Sequence, residues 1–114
     1  MRALTLTTDG MVAFSDFADV EQLESFVDGS LEYLPLDGST VLVFNDDGLM
    51  RGLPHNAVAT ALVLGLGAGY SDDDVIAGNA VVLSWDDGSV SDVNPAVTAT
   101  LQRLGLPTPD RASR

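Results

Sequence analysis

Residues 40–64 read TVLVFNDDGLMRGLPHNAVATALVL, and the way this stretch divides decides the fold. Thr40 to Phe44 is a continuous β-prone run, the pattern of a strand buried on both faces in the middle of a sheet. It is followed by NDDGLMRGLPHN, residues 45–56, in which Gly48, Gly52 and Pro54 forbid any long regular element. The segment predicts a turn, a very short strand at Leu49 to Arg51, and a loop. Asn56 is then placed to cap a helix over Ala57 to Leu64 by accepting from a backbone N–H of its first turn. That helix is apolar nearly all round, as a helix packed deep against a sheet has to be. Gly65, Gly67 and Gly69 end it.

Outward from this centre the same logic continues. Upstream, Ser30 to Leu36 turns at Asp37-Gly38 into the central strand, which predicts a hairpin. Before it, Asp19 reads as an N-cap with Gln22 three positions on. Val20, Leu23, Phe26 and Val27 recur at helical spacing until Gly29 supplies the C′ position. The amino-terminal residues alternate from Arg2 to Thr7, turn at Asp9-Gly10 and return over Met11 to Phe14, a second hairpin. Downstream, Val75 and Ile76 lead through Gly78 into an apolar strand over Ala80 to Trp85, stopped by Asp86, Asp87 and Gly88. Ser89 to Asp92 reads as a returning strand or a loop. Asn94 as N-cap with Pro95 at N1 opens a last helix lined by Ala96, Val97, Thr100, Leu101 and Leu104 and closed by Gly105 and Pro107.

The expected architecture is therefore α+β: a mostly antiparallel sheet of five or six strands built from hairpins, with about three helices packed on one layer. At 114 residues the chain fits one domain, expected over residues 1–106, with 107–114 as a frayed carboxyl-terminal tail.

Composition narrows the function classes. Seventeen acidic residues against five arginines give a formal net charge of −12, and lysine and cysteine are both absent. So acidic a surface repels phosphate backbones and anionic lipid, which disfavours nucleic-acid and membrane partners. Without cysteine there is neither a disulfide framework nor a thiolate metal site. Residues 52–71 carry no charged side chain apart from a protonatable His55, but their apolar and glycine-rich part, residues 57–69, falls short of the roughly 17 to 25 residues a spanning helix needs. The amino terminus lacks the unbroken apolar region of a secretory signal, and a cytoplasmic protein is expected. The Asp-rich, Lys-free balance fits a GC-rich genome, such as an actinobacterium or its phages, or a salt-adapted haloarchaeon.

Most of the acids have a structural explanation. Asp-Gly steps at residues 9–10, 28–29, 37–38, 47–48 and 87–88 punctuate the chain, and Asp-Gly is a strong tight-turn signal. The pairs Asp46-Asp47 and Asp86-Asp87 and the triplet Asp72, Asp73 and Asp74 lack the spacing of a calcium loop, so solvated turn acids are favoured over a metal site. The glycines at 65, 67 and 69 follow a helix, whereas a dinucleotide fingerprint precedes one. His55, the sole imidazole, has Arg51 and Asn45 near it in sequence, a set from which general-base chemistry with an anion stabiliser can be built. Its carboxylate partner is not assignable, and a surface-loop histidine is the favoured reading. Trp85 is a candidate partner anchor, weighed against rim packing at a strand end. No cofactor is expected.

The string VLVFNDDGLMRGLPHNAVATAL with the later DVIAGNAVVLS resembles a small uncharacterised family, domain of unknown function 3846, of actinobacteria, other bacteria and their phages. The resemblance rests on Asn45, Gly48, Leu49, Gly52, Leu53, Pro54, Asn56, Ala59 and Thr60, then Ile76, Gly78 and the run Ala80 to Val82, and covers residues 1–88. Members often carry a second proline where His55 stands, which weakens a catalytic role for it. No activity is implied. The leading expectation is a small acidic non-enzymatic accessory protein, phage or prophage derived, that binds a host protein, with a DNA mimic or inhibitor as its sharper variant. The alternative is a small-ligand binder or enzyme using the Asn45–Asn56 loop. The binding candidates are Asn45, Arg51, His55, Asn56 and Trp85, in a monomer or weak homodimer.

Overall fold

The computed structural model describes residues 1–69 and 74–109. Asp72 and Asp73 of the acidic triplet, and residues 110–114 of the expected tail, lie outside the described residues. Six strands and three helices follow one another as β1 (Arg2–Leu6), β2 (Val12–Asp16), α1 (Val20–Val27), β3 (Leu31–Pro35), β4 (Thr40–Asn45), α2 (Ala57–Gly65), β5 (Ala80–Asp86), β6 (Ser89–Ser91) and α3 (Val97–Arg103). They form one antiparallel sheet in the order β2-β1-β5-β4-β3, with β6 beside the far half of β5. Both predicted hairpins are present, and Ser89 onward is a returning strand rather than a loop.

The apolar runs of β4 and β5 take the centre, where Leu42 faces Val82 and Val43 faces Val81. Because strand side chains alternate, each of these strands feeds two cores. Leu4, Leu6, Leu42, Ala80 and Val82 point to one face and pack with Val58, Ala59, Leu62 and Val63 of α2 and Val97 and Leu101 of α3. Ala3, Val41, Val43, Val81 and Leu83 point to the other, with Phe17 and Leu23 of the α1 region. The expected single helical layer is thus corrected: α1 covers the face opposite α2 and α3. The reason lies in those continuous apolar runs. A sheet whose central strands are apolar at successive positions has two faces to remove from water, at roughly 1.5–3 kcal/mol per fully buried large aliphatic side chain.

Three local expectations are refined. The αL residue that ends α1 is Asp28, with φ 67°, not Gly29. Helix α3 begins with tight i→i+3 bonds from Val97, Thr98 and Ala99, so its regular part starts at Val97. The N-cap position is Ala96 rather than Asn94, whose Oδ1 accepts from Ala96 N–H at 2.9 Å in the turn ahead of the helix. Residues 49–51 form no strand but part of a continuous turn, in which Arg51 N–H donates to the Asp47 carbonyl and Leu53 N–H to that of Gly48. Gly48 and Gly52 permit that winding where a strand would need extension.

Candidate functional site

The loop from Asn45 to Asn56 joins β4 to α2 at the end of the sheet where α1 also finishes. Asn45, the last residue of β4, is buried. Its Nδ2 donates to the carbonyls of Val27 at 3.1 Å and Asp28 at 2.9 Å, and its Oδ1 accepts from Asp47 N–H at 2.9 Å. Carbonyls at a helix carboxyl end have no intrahelical partner, and here strand β4 supplies one. Arg51 adds to the same cap: Nη1 donates to the Asp28 carbonyl, and Nη2 lies 3.3 Å from the Asp28 carboxylate. Asp47 stands at 4.0 Å on the other side of the guanidinium. Asn79 completes the set, with Nδ2 3.4 Å from the Phe26 carbonyl and Oδ1 accepting from Thr8 N–H at 3.1 Å. A positive guanidinium at a helix carboxyl end also complements the helix dipole. The close fit explains Gly29. A Cβ there would stand 2.6 Å from Asn45 Nδ2 and 3.0 Å from Arg51 Nη1.

Asn56 closes the loop with every polar atom engaged. It has no solvent exposure, and its Nδ2 donates to the carbonyls of Leu6 at 2.8 Å and Gly78 at 3.0 Å. Oδ1 accepts from Ala59 N–H at 3.0 Å, which is the predicted N-cap. One side chain therefore pins α2 to β1 and to the approach to β5. The backbone around it is tied in parallel: Asn56 N–H donates to the Ile76 carbonyl, Gly78 N–H to that of Pro54, and Ile76 N–H to Thr60 Oγ1 at 2.9 Å. Gly48 packs against this ladder so closely that a Cβ would approach the Ala77 carbonyl oxygen to 2.8 Å.

The structure therefore brings Asn45 and Arg51 together on one backbone carbonyl, and holds Asn56 apart from them as a second staple. His55 is exposed, its backbone in an isolated bridge with Ala77. Trp85 sits at the far end of β5, partly buried against Tyr33 with ring centroids 5.9 Å apart, which is rim packing and leaves it remote from the loop. Sequence reasoning missed Asn79 and read Gly29 only as the end of α1, not as the close approach to Asn45 and Arg51; both roles depend on α1 being delivered to this end of the sheet. It also missed the tip of the loop, where Leu49 is 57% and Met50 93% exposed. Their only signal is two large apolar residues in succession between glycines.

Beside the loop lies a cavity of about 170 Å³ lined by Thr8, Phe26, Val27, Asp28, Leu53, Pro54, Gly78 and Asn79. That is small against the roughly 300–1,000 Å³ of ordinary ligand sites, and neither Arg51 nor His55 lines it. Among the described residues no group of three His, Cys, Asp or Glu side chains is arranged to hold a metal, and no helix is long and apolar enough to cross a membrane. Two turn acids have carboxyls held below the usual carboxylate range: Asp9 chiefly by the Thr7 hydroxyl, and Asp37 chiefly by the Ser39 backbone N–H, 2.8 Å from its Oδ1. Both behave as turn chemistry predicts.

Residues 1–105 match the family described as Domain of unknown function (DUF3846). The chain belongs to that family. No curated protein and no solved structure matches it. Membership reaches past the residues that carried the resemblance and takes in α3. Of the pattern positions in this DUF3846 chain, Asn45, Gly48, Asn56, Thr60 and Gly78 take part in the contacts just described, and Ala59 is fully buried against the sheet. Leu49 alone among the large apolar pattern residues stands mostly in solvent.

Proposed function

We propose that this DUF3846 protein works without catalysis, by docking on another protein with the Leu49–Met50 tip. The observation that carries the reading is that two large apolar side chains, 57% and 93% exposed, are held out by a loop anchored on both sides through Asn45, Arg51 and Asn56. Apolar side chains presented on a preorganised loop lose little conformational freedom on binding, and Met adapts to irregular partner surfaces. On the reading that the protein is phage or prophage derived, the partner class is a host protein in the host cytoplasm.

Charge adds a second element. Asp28, Asp46 and Asp47 surround the base of the tip, and all three are exposed. The partner surface that fits is an apolar recess with basic residues at its rim, recognised in a salt-dependent way. A DNA mimic needs acids in one stripe. Here Asp16, Asp37, Asp86 and Asp87 lie at one end of the sheet and Asp9, Asp28, Asp46 and Asp47 at the other, which favours local docking over mimicry. The ligand-binding alternative relies on Arg51 and His55; Arg51 is committed to α1 and His55 is exposed away from the cavity lining.

The test compares the tagged protein with a Leu49→Ser/Met50→Ser double variant in affinity capture from actinobacterial lysate at low and high salt. The expected result is a partner retained by the parent at low salt and lost by a variant that unfolds normally. Equal capture by both proteins removes the tip from the function. Loss of biological effect in Arg51→Ala and His55→Ala variants with the tip intact moves the assignment to the ligand-binding reading.

A further inference from the structure

The main strand order ends on β2 and β3, with the three-residue β6 pairing only β5, and among the described residues the outer edges of β2 and β3 differ. In the β1–β2 hairpin, Phe17 N–H donates to the Met1 carbonyl and Thr7 N–H to that of Met11, so odd-numbered residues of β2 face β1. The backbone N–H and C=O groups of Val12, Phe14 and Asp16 therefore point away from the sheet. In the β3–β4 hairpin, Leu36 N–H donates to the Thr40 carbonyl and Asp46 N–H to that of Ser30. By the same parity Leu31, Tyr33 and Pro35 face outward on β3, and Pro35 has no N–H to offer. Strand β3 is guarded by a proline at an outward position, a standard device against edge pairing. Strand β2, VAFSD, has no proline, glycine or lysine, and its one charge is at its end.

We propose that β2 is a self-association edge, on which a second copy of this chain pairs antiparallel about Phe14. That register sets Phe14 against the partner's Phe14, and Val12 against the partner's Asp16, so every outward group of the strand finds a partner. It is the register that the outward parity of β2 satisfies in full: sliding by one residue points the groups away, and sliding by two leaves one residue unpaired. No two acids face each other in it, because the two Asp16 carboxylates lie at opposite ends of the seam. The ring of Phe14 carries the Arg2 guanidinium 4.9 Å from its centroid, which places a cation on each side of the paired rings and offsets part of the negative charge. The symmetry is two-fold and closes at the dimer. Two chains of net charge −12 repel at long range, so this association strengthens as salt is added. Capture of a basic partner by the tip weakens under the same change, and the two behaviours are separable.

Sedimentation velocity from about 10 μM to about 1 mM protein, at low and high salt, tests the proposal on the full chain. The expected result is a reversible monomer–dimer equilibrium favoured by salt. Asp16→Pro removes an outward N–H that no bond among the described residues uses, and should weaken association at least about tenfold, while Asp16→Asn should not. The chain has no native cysteine, so Phe14→Cys should crosslink to itself on oxidation and Ser15→Cys much more slowly. Should Asp16→Pro misfold, amide exchange of the unmodified protein replaces it: Val12, Phe14 and Asp16 should become protected as concentration rises. A chain that stays monomeric across the range at both salts overturns the proposal, as does a dimer in which these amides exchange freely.

Discussion

The Asn56 corner and the Leu49–Met50 tip belong to one loop and are built in opposite ways. At the corner a polar side chain is driven inside, has no solvent exposure, and engages all its hydrogen-bonding atoms with backbone from α2, β1 and the approach to β5. At the tip, large apolar side chains are held outside, where burial would have been favourable. Each violates the simple rule that apolar residues go in and polar ones out, and the two violations have different physics. A buried asparagine is tolerable because it satisfies backbone groups that would otherwise be orphaned. An exposed Leu-Met pair has no such compensation among the described residues, and the proposed docking role would supply it.

The sharpest way to break this contrast is at the corner. Asn56→Ala removes the cap on Ala59, leaves the buried Gly78 carbonyl without its amide donor, and takes a second donor from the Leu6 carbonyl, which keeps its ladder partner Ala80. A loss on the order of 3–5 kcal/mol is expected, combining an N-cap with buried unsatisfied groups, and urea unfolding measures it. Next comes Asn45→Ala, which releases the α1 carboxyl end. The expected cost is about 2 kcal/mol, with faster amide exchange in α1 than in α2 as the sign that the damage is local. If both variants lose stability equally across the whole molecule, the two asparagines are one cooperative unit and the division of the loop fails.

Smaller changes sharpen the comparison. Arg51→Ala should cost no more than about 1 kcal/mol, since the guanidinium is 40% exposed and its Asp28 partner 72% exposed, so solvent screens the pair. Raising the salt should narrow the difference between parent and variant. Leu49→Ser/Met50→Ser should change stability by less than about 0.5 kcal/mol, because these side chains bury little, while abolishing capture of the partner. The smallest effect is one of pH. The folded carboxyl of Asp37 titrates below its model-compound value of 3.8, so its contribution is full above that value and disappears as pH falls through the lower folded value. Asp37→Asn should therefore be slightly less stable than the parent at neutral pH and converge with it in acid, as urea midpoints across pH would record.

Much of this was legible in the chain. Asp19 and Asn56 announced their helices because capping is a local bargain between one side chain and the next turn, and both caps form. The Asp-Gly steps at 9–10 and 37–38 announced hairpins for the same reason, as turn geometry is set by the residues within it. The strand expected at Leu49 to Arg51 was misread because a run as short as LMR carries no periodicity, and the winding allowed by the flanking glycines prevails. Asn45, Arg51 and Asn56 stand among the candidates that the sequence marks, beside His55 and Trp85, but the division of labour of those three is not visible in it, since the carbonyls they hold belong to α1, β1 and the segment before β5.

By itself the sequence determined the class of the protein: where turns, caps and apolar runs fall, and hence an antiparallel α+β domain whose reactive groups are few. These follow from interactions between residues close in the chain. Only the tertiary structure decided that α1 crosses to the opposite face from α2 and α3, that β2 rather than β3 has the unguarded edge, and that Leu49 and Met50 stand in solvent. Each of those depends on which distant segment occupies a given surface. Local propensity is silent on that choice, because both faces of a doubly apolar sheet demand cover and only the closed set of contacts settles which element supplies it.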